Sequence, residues 1–312
     1  MTPWDYDIVI IGAGPAGLTA GLYAGRARLK TLLLEKLIHG GQVMTTDFVE
    51  NYPGFPEGIS GFDLSDRMRQ QAERFGLTFQ TAEVKALEAG PTRHRVILEE
   101  GEFTAGAVII ATGARYKHLE VPGEDAFAGK GVSYCATCDG ALYKNQEIAV
   151  VGGGDTALTD TIFLSRFASR IHLIHRRDAL RGEKILQEQV LANEKVQVHW
   201  DSVVDEIQGS QGQGVEAVRL NNVKTGEPST LPVTGVFIFI GVIPNTGWLK
   251  GYFPTDDWGF IITDANMATS IPGIFAAGDV RAKLLRQITT AVGDGAIAAF
   301  AAEHYLEEHY RR

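Results

Sequence analysis

Twice along this chain a short apolar run breaks into a glycine-rich turn that opens a helix, and this repeat limits the fold more than any other feature. The first copy is an Ile/Val-rich run at residues 6–11, then Gly12-Ala13-Gly14-Pro15-Ala16-Gly17, a helical stretch at 18–28, and a strand at 32–34 ending in Glu35. This is G-x-G-x-x-G in its informative setting of strand, turn, helix, strand and acid. Gly12 permits the tight turn, Gly14 lets backbone approach a pyrophosphate, and Gly17 lets the helix lie close on the strand. The helix start adds N–H groups and partial positive charge for phosphates. Glu35, eighteen residues past Gly17, is placed to take both ribose hydroxyls of an adenosine.

The second copy is a strand at 147–151, Gly152-Gly153-Gly154-Asp155-Thr156-Ala157, a helix at 157–167 and a strand at 171–174. Its third small residue is Ala, which the fingerprint allows. Where the first copy ends in Glu35, this one ends in His175-Arg176-Arg177, with Arg181 a helical turn further on. A carboxylate there repels a 2′-phosphate, whereas guanidinium forks bind it bidentately. The first site therefore reads as one for a nucleotide without a 2′-phosphate and the second as one for NADP(H).

The chain holds two cysteines, Cys135 and Cys138, in Gly-Val-Ser-Tyr-Cys-Ala-Thr-Cys-Asp-Gly at 131–140. Two spacer residues allow the sulfurs to bond, and such disulfides exchange readily. A zinc site needs two more ligands and no other Cys exists, so no metal is expected. A structural disulfide across so short a loop stabilises little. Asp139 follows at once and could hand protons to a thiolate, and the second glycine loop begins fourteen residues after Cys138.

A length of 312 residues suggests about two domains, and the 36 glycines cluster in turns after apolar runs. The net charge of −9 argues against nucleic acid as a partner, because a phosphate backbone demands a cationic face. No apolar run approaches the length of a membrane span, and the short acidic start is not expected to act as a signal peptide. A reducing cytoplasmic location is expected for a chain whose thiols form one exchangeable pair. Elsewhere the pattern predicts loops at Gly40-Gly41-Gln42 and 50–54, a helix at 61–75, and strands between 79 and 98. Further strands are predicted at 107–111 before Thr112-Gly113, at 196–204, at 215–220, and at 236–240 before Gly241. A last strand and turn spans 274–279, where Asp279 could bond a polyhydroxyl chain, and a small-residue helix follows at 287–302.

Taken together, these pieces resemble the low-molecular-weight thioredoxin reductases over nearly the whole length. The matching segments are the first glycine loop, Gly40-Gly41-Gln42, Glu50-Asn51-Tyr52-Pro53-Gly54, Cys135-Ala136-Thr137-Cys138-Asp139-Gly140, His175-Arg176-Arg177-Asp178 and Phe275-Ala276-Ala277-Gly278-Asp279. The C-A-T-C-D-G run inside the second nucleotide domain is the most specific, since related reductases carry their cysteines in the first. The resemblance implies an α/β fold of two Rossmann-like dinucleotide-binding domains. A discontinuous FAD-binding domain (1–117 and 245–312) would be interrupted by an inserted NADPH-binding domain (118–244). It implies FAD contacts at Gly12, Gly14, Gly17, Glu35, Gln42, Asn51, Thr112, Gly113, Asp279, Gln287 and Ile288. It implies NADPH contacts at Gly154, Asp155, Thr156, His175, Arg176, Arg177, Arg181 and Gly241, and a homodimer.

The implied reaction carries electrons from NADPH through FAD and the Cys135–Cys138 disulfide to a disulfide of thioredoxin or a similar small protein. By the same resemblance Cys138 is the thiolate nearer the flavin, Cys135 attacks the partner's disulfide, and Asp139 is the general acid. The family's usual A-x-E-E after the second glycine loop is Ala157-Leu158-Thr159-Asp160 here, so a Glu expected near the nicotinamide is missing. Family members also imply two orientations of the inserted domain, with hinges near 117–122 and 241–246. Three rivals use some of the same features: a dithiol oxidase, the flavoprotein component of a peroxide reductase system, and a non-enzymatic FAD-binding redox sensor.

Overall fold

In the computed structural model, which describes residues 4–46, 49–210, 212–249 and 251–310, the first apolar run is strand β1 (Tyr6–Ile11). Helix α1 (Pro15–Arg26) follows, with Pro15 in its first turn where a missing N–H costs nothing. Next come β2 (Thr31–Glu35), α2 (Gly61–Arg74), β3 (Thr78–Thr81), β4 (Val84–Glu88), β5 (His94–Leu98) and β6 (Glu102–Ile110). The chain then passes through β7 (Ala114–Tyr116), which pairs with the later β16 (Val242–Pro244). Between them lie β8 (Val132–Ser133), α3 (Ala136–Asp139), β9 (Glu147–Gly152), α4 (Asp155–Leu164) and β10 (Arg170–Ile174). They are followed by α5 (Lys184–Leu191), β11 (Val196–His199), β12 (Ser202–Ser210), β13 (Gly214–Asn222), β14 (Pro228–Pro232) and β15 (Gly235–Phe239). The chain closes with β17 (Ile274–Ala276) and the long helix α6 (Ile288–Tyr310).

The elements fall into two units, Met1–Arg115 with Ile243–Arg312, and Tyr116–Val242. In the first, the sheet order is β3-β2-β1-β6-β5-β4. The far half of β6 also takes β17, so this one strand is bordered by β5 near Ala105 and by β17 from Val108 onward. β1, β2, β3, β6 and β17 run parallel, which brings their carboxyl ends to one edge. Both faces are covered, and alternation along each strand sorts the side chains. Ile8, Ile10, Leu33 and Ile109 pack under α1 and α6, while Val9, Ile11, Leu34 and Ile110 face a second core with Leu249 and Phe253.

The second unit repeats the logic with a parallel sheet, β11-β10-β9-β15-β8. Ile148, Val150, Leu173 and Phe237 pack with Leu158 and Leu164 of α4. Val151, Ile174 and Ile238 face the antiparallel sheet β12-β13-β14. The α/β class and the doubled parallel sheet agree with the sequence reading. One strand does not: the run at 196–204 is two strands, β11 and β12, in different sheets. Asp201 between them has φ 51°, a left-handed turn that a pattern of alternating apolar residues does not announce. The last helix also continues well past 302, to Tyr310.

Candidate active site

In the first unit the predicted residues gather where the parallel strands end, the edge at which doubly wound sheets bind ligands. Gly12 has φ 107°, and a Cβ there would stand 2.4 Å from the Ala111 carbonyl oxygen. At Gly17 a Cβ would lie 1.9 Å from the Gly12 carbonyl oxygen, so helix and turn touch through backbone alone. Gly14 is different, because a Cβ there meets nothing within 4 Å. The space is open, and no side chain caps the start of α1. Glu35 accepts hydrogen bonds from the Ala13 N–H (2.8 Å) and the Leu37 N–H (3.1 Å). Its two oxygens keep further acceptor capacity beside the turn.

Around this loop, Gln42 Nε2 donates to the Ala114 carbonyl and Asn51 Nδ2 donates to Gln287 Oε1 at 3.0 Å. Thr112 Oγ1 donates to the Asn245 carbonyl while Asn245 Nδ2 donates back to the Thr112 carbonyl, and Gly113 (φ 66°) accepts from the Asn245 N–H. Asp279 follows β17, and its Oδ1 is buried with no protein partner among the described residues. Burial pushes its carboxyl above the usual range, and Lys283 and Arg286 pull the other way. The turn before it is held from inside: buried Asp294 of α6 accepts from the Gly278 N–H (3.0 Å), Arg281 Nη1 (3.1 Å) and Lys283 Nζ (2.8 Å). A buried acceptor without a partner, an uncapped helix start and open space over Gly14 are what a dinucleotide with a hydroxylated chain requires.

In the second unit Gly152 (φ 153°) leaves no room for a Cβ, which would stand 2.6 Å from both Ala157 Cβ and the Phe239 carbonyl oxygen. Gly154 again faces open space. Asp155 Oδ1 accepts from the Glu183 N–H at 2.7 Å, and the Arg181 N–H donates to the Gly153 carbonyl at 2.7 Å, so the loop after β10 is tied to the glycine turn. Thr156, Arg176, Arg177 and Arg181 are exposed. Gly241 follows β15 with φ 126°. His175 stands at the end of β10 but is buried, with Nε2 3.0 Å from the Ala179 carbonyl oxygen. Its ring fills the space over Gly153, where a Cβ would come within 2.3 Å of Nδ1. Burial lowers its pKa. The imidazole therefore shapes the turn, and the guanidinium groups are what the surface presents. Thr159 is exposed on α4; beside it Asp160 is half-buried, and desolvation raises its pKa to about 6.

The same unit carries a Cys135–Cys138 disulfide, with Cα atoms 5.3 Å apart. Cys135 caps the single turn of α3, and the Cys138 N–H points at its sulfur from 3.2 Å. That N–H would stabilise negative charge on Cys135 once the bond is reduced. Cys135, Cys138 and Asp139 are half-buried; Tyr143 lies near enough to Asp139 for its charge, after burial, to help raise the phenol's pKa to about 12. Ser133 was not singled out in the sequence, yet its Oγ accepts from the Cys135 N–H at 3.1 Å. Asn245 and Asp294 were missed as well: the partner of Asn245 lies far away in sequence, and Asp294 sits inside a helix whose small residues gave no polar signal.

The match to a family model for pyridine nucleotide-disulphide oxidoreductases extends over residues 6–295. The chain belongs to this family. A thioredoxin reductase from Listeria monocytogenes is 48% identical over 97% of this chain and 94% of its own. One from Bacillus subtilis is likewise 48% identical over 97% of this chain, and 95% of its own. The crystal structure of a thioredoxin reductase from Streptococcus pyogenes superposes with a TM-score of 0.94 at 50% identity, covering 97% of this chain and 98% of that one. In this chain the disulfide lies in the unit whose strand β10 leads into Arg176 and Arg177.

Proposed function

We infer that this protein is an NADPH-dependent thioredoxin-disulfide reductase that uses FAD. The observation carrying the reading is the exchangeable Cys135–Cys138 disulfide, set beside a glycine loop whose strand ends in exposed Arg176 and Arg177. The family is FAD-binding and NADPH-dependent. When bound, FAD converts a hydride into the electron pair that opens a disulfide. The residues of the first unit from Gly12 to Glu35, with Gln42, Asn51, Thr112, Gly113, Asp279, Gln287 and Ile288, are assigned to hold it. Gly154, Asp155, Thr156, Arg176, Arg177, Arg181 and Gly241 are assigned to NADPH, with His175 shaping their turn.

Reduction leaves two thiols. The Cys135 thiolate attacks one sulfur of the partner's disulfide, forming a mixed disulfide and releasing a partner thiolate. Cys138 then attacks Cys135 Sγ, which restores the internal disulfide and releases the second partner thiolate. Asp139 supplies the proton that a departing thiolate needs. Cys138 is assigned to the flavin side and Cys135 to the partner side, in line with the N–H that Cys138 directs at the Cys135 sulfur. The relatives named as thioredoxin reductases support thioredoxin as the partner. A cytoplasmic homodimer is the proposed working form; no helix among the described residues is long and apolar enough to cross a membrane.

The test is NADPH oxidation by the FAD-loaded protein with thioredoxin as acceptor. One NADPH consumed for each thioredoxin disulfide reduced supports the reading. Turnover that needs a dithiol and oxygen but no NADPH would establish the oxidase instead, and flavin binding with no turnover on either pair would establish a sensor.

A further inference from the structure

Glu124 lies outside every motif discussed so far, yet at 2% exposure it is less accessible than any other acidic residue described. It sits between the segment that opens the second unit and the residue that precedes Cys135. Its Oε2 accepts from the Glu120 N–H at 2.7 Å, and its Oε1 accepts from the Leu119 N–H at 3.0 Å and from the Tyr134 hydroxyl at 2.6 Å. His118 Nδ1 is 3.1 Å from the same hydroxyl, which can accept from it while donating to Glu124. Glu120 has φ 62°, a left-handed conformation that a non-glycine residue holds only when its surroundings fix it, and its N–H is the one tied to Glu124. A second link joins the same two segments: the Tyr116 and Tyr134 rings stack at 5.2 Å, 13° from parallel. Beyond Tyr134, Ser133 Oγ accepts from the Cys135 N–H and donates to the Cys135 carbonyl.

A disulfide restrains the backbone of both its cysteines. Each turnover breaks that bond, and the two sulfurs must then separate from bonding distance to van der Waals distance. The 133–138 segment would gain freedom at the moment when Cys135 has to meet a partner's disulfide in line. A restraint independent of the S–S bond removes that freedom, and hydrogen bonds to a buried carboxylate are suited to it, because charge-assisted bonds are stronger than neutral ones.

We propose that Glu124 and Tyr134 are positioning residues for the Cys135–Cys138 couple, holding the backbone of Cys135 in one conformation through both the disulfide and the dithiol forms. This rests on the thioredoxin-disulfide reductase reading. The clamp acts through Tyr134 and Ser133 on the chain that carries Cys135.

The experiment uses full-length FAD-loaded protein with Tyr134→Phe, which deletes one hydroxyl and keeps the stacked ring, and Glu124→Gln as a second variant. Amide deuterium uptake of residues 133–138 is followed in the oxidised protein and after reduction, alongside kcat and KM for thioredoxin. The expected result for Tyr134→Phe is faster uptake in the reduced form and wild-type uptake in the oxidised form. With it comes a fall in kcat of about tenfold at unchanged KM, the size of one lost hydrogen bond to a charged group. Wild-type uptake in the reduced variant, or equal acceleration in both redox forms, would overturn the proposal, the latter because it describes packing and not a redox-dependent clamp. A loss that appears only in KM would also overturn it. If Glu124→Gln does not fold, the phenylalanine variant decides. If the wild-type protein fails to reduce thioredoxin, the functional reading falls, while the exchange comparison still tests the clamp.

Discussion

Arg176 and Arg177 are two adjacent exposed cations at the end of β10, with Arg181 a few residues on. Their neighbour Asp178 is engaged by Lys224 Nζ at 2.9 Å, which offsets its charge beside the two cations. If both arginines bind the 2′-phosphate as proposed, replacing them by Ala removes two charge-assisted contacts worth roughly 1.5–3 kcal/mol each. The expected outcome is a rise in KM for NADPH of at least about a hundredfold and little change for NADH, checked by steady-state kinetics with both cofactors. An equal loss for the two would mean that the arginines hold the fold and not the 2′-phosphate. Asp160 offers a second single-residue test. Burial holds its pKa at about 6 in the folded protein against 3.8 for an unperturbed carboxyl. A raised acid favours folding while it is protonated, so its contribution is fully present below pH 3.8 and is lost as pH rises through about 6. At neutral pH the ionised group opposes folding by at most about 3 kcal/mol. Asp160→Asn is therefore expected to raise the melting temperature at pH 7.5 and to leave it nearly unchanged at pH 4, measured by thermal scans at both.

Helix α6 shows how two glycines in one element can differ. Gly293 is exposed, and a Cβ there meets nothing within 4 Å. Gly295 is buried, and a Cβ there would lie 2.2 Å from the Ala16 carbonyl oxygen of α1. Gly293→Ala should stabilise the protein by up to about 1 kcal/mol, the helix-propensity gain, whereas Gly295→Ala must push α6 off α1 and should destabilise by about 2 kcal/mol or more. Because α1 opens with the glycine loop and α6 carries Asp294 under the Asp279 turn, the second variant should also retain less FAD after gel filtration. Chemical denaturation of the two variants side by side is the check; equal effects at both positions would contradict the close helix contact. The N-terminal end of α2 obeys a more local rule, since Ser60 Oγ accepts from the Asp63 N–H at 3.0 Å as a side-chain cap.

For the whole molecule, each of the two units has its own sheet with a core on either face, so each holds the means to unfold on its own. The cofactor assignments then make a calorimetric prediction. Ligands that bind only the native form stabilise it by mass action, about 4 kcal/mol at a thousandfold excess over Kd. Removing FAD should lower one transition and leave the other in place. Adding NADP+ should raise the second one, and the Arg176→Ala, Arg177→Ala protein should lose that response. A single transition moved equally by both ligands would show that the units melt together and would leave the assignment of one cofactor to each unit without support.

What could be read directly from the order of residues was local. The strand–glycine–helix turns at Gly12 and Gly152, the carboxylate at Glu35 against the arginines at 176 and 177, and the two thiols three positions apart are set by covalent neighbours and by backbone sterics. Each acts within one turn or one βαβ unit, so the motif and the geometry are nearly the same fact. Tertiary structure decided what depends on partners distant in the chain. It turned the His175 ring inward over Gly153, and it joined Thr112 to Asn245 across 133 positions. It buried Asp294 under the Gly278 turn and wrapped Glu124 around the approach to Cys135. Buried carboxylates carry no periodic or spacing signal, because what makes them stable is a set of donors from separate elements that meet only once the chain has folded.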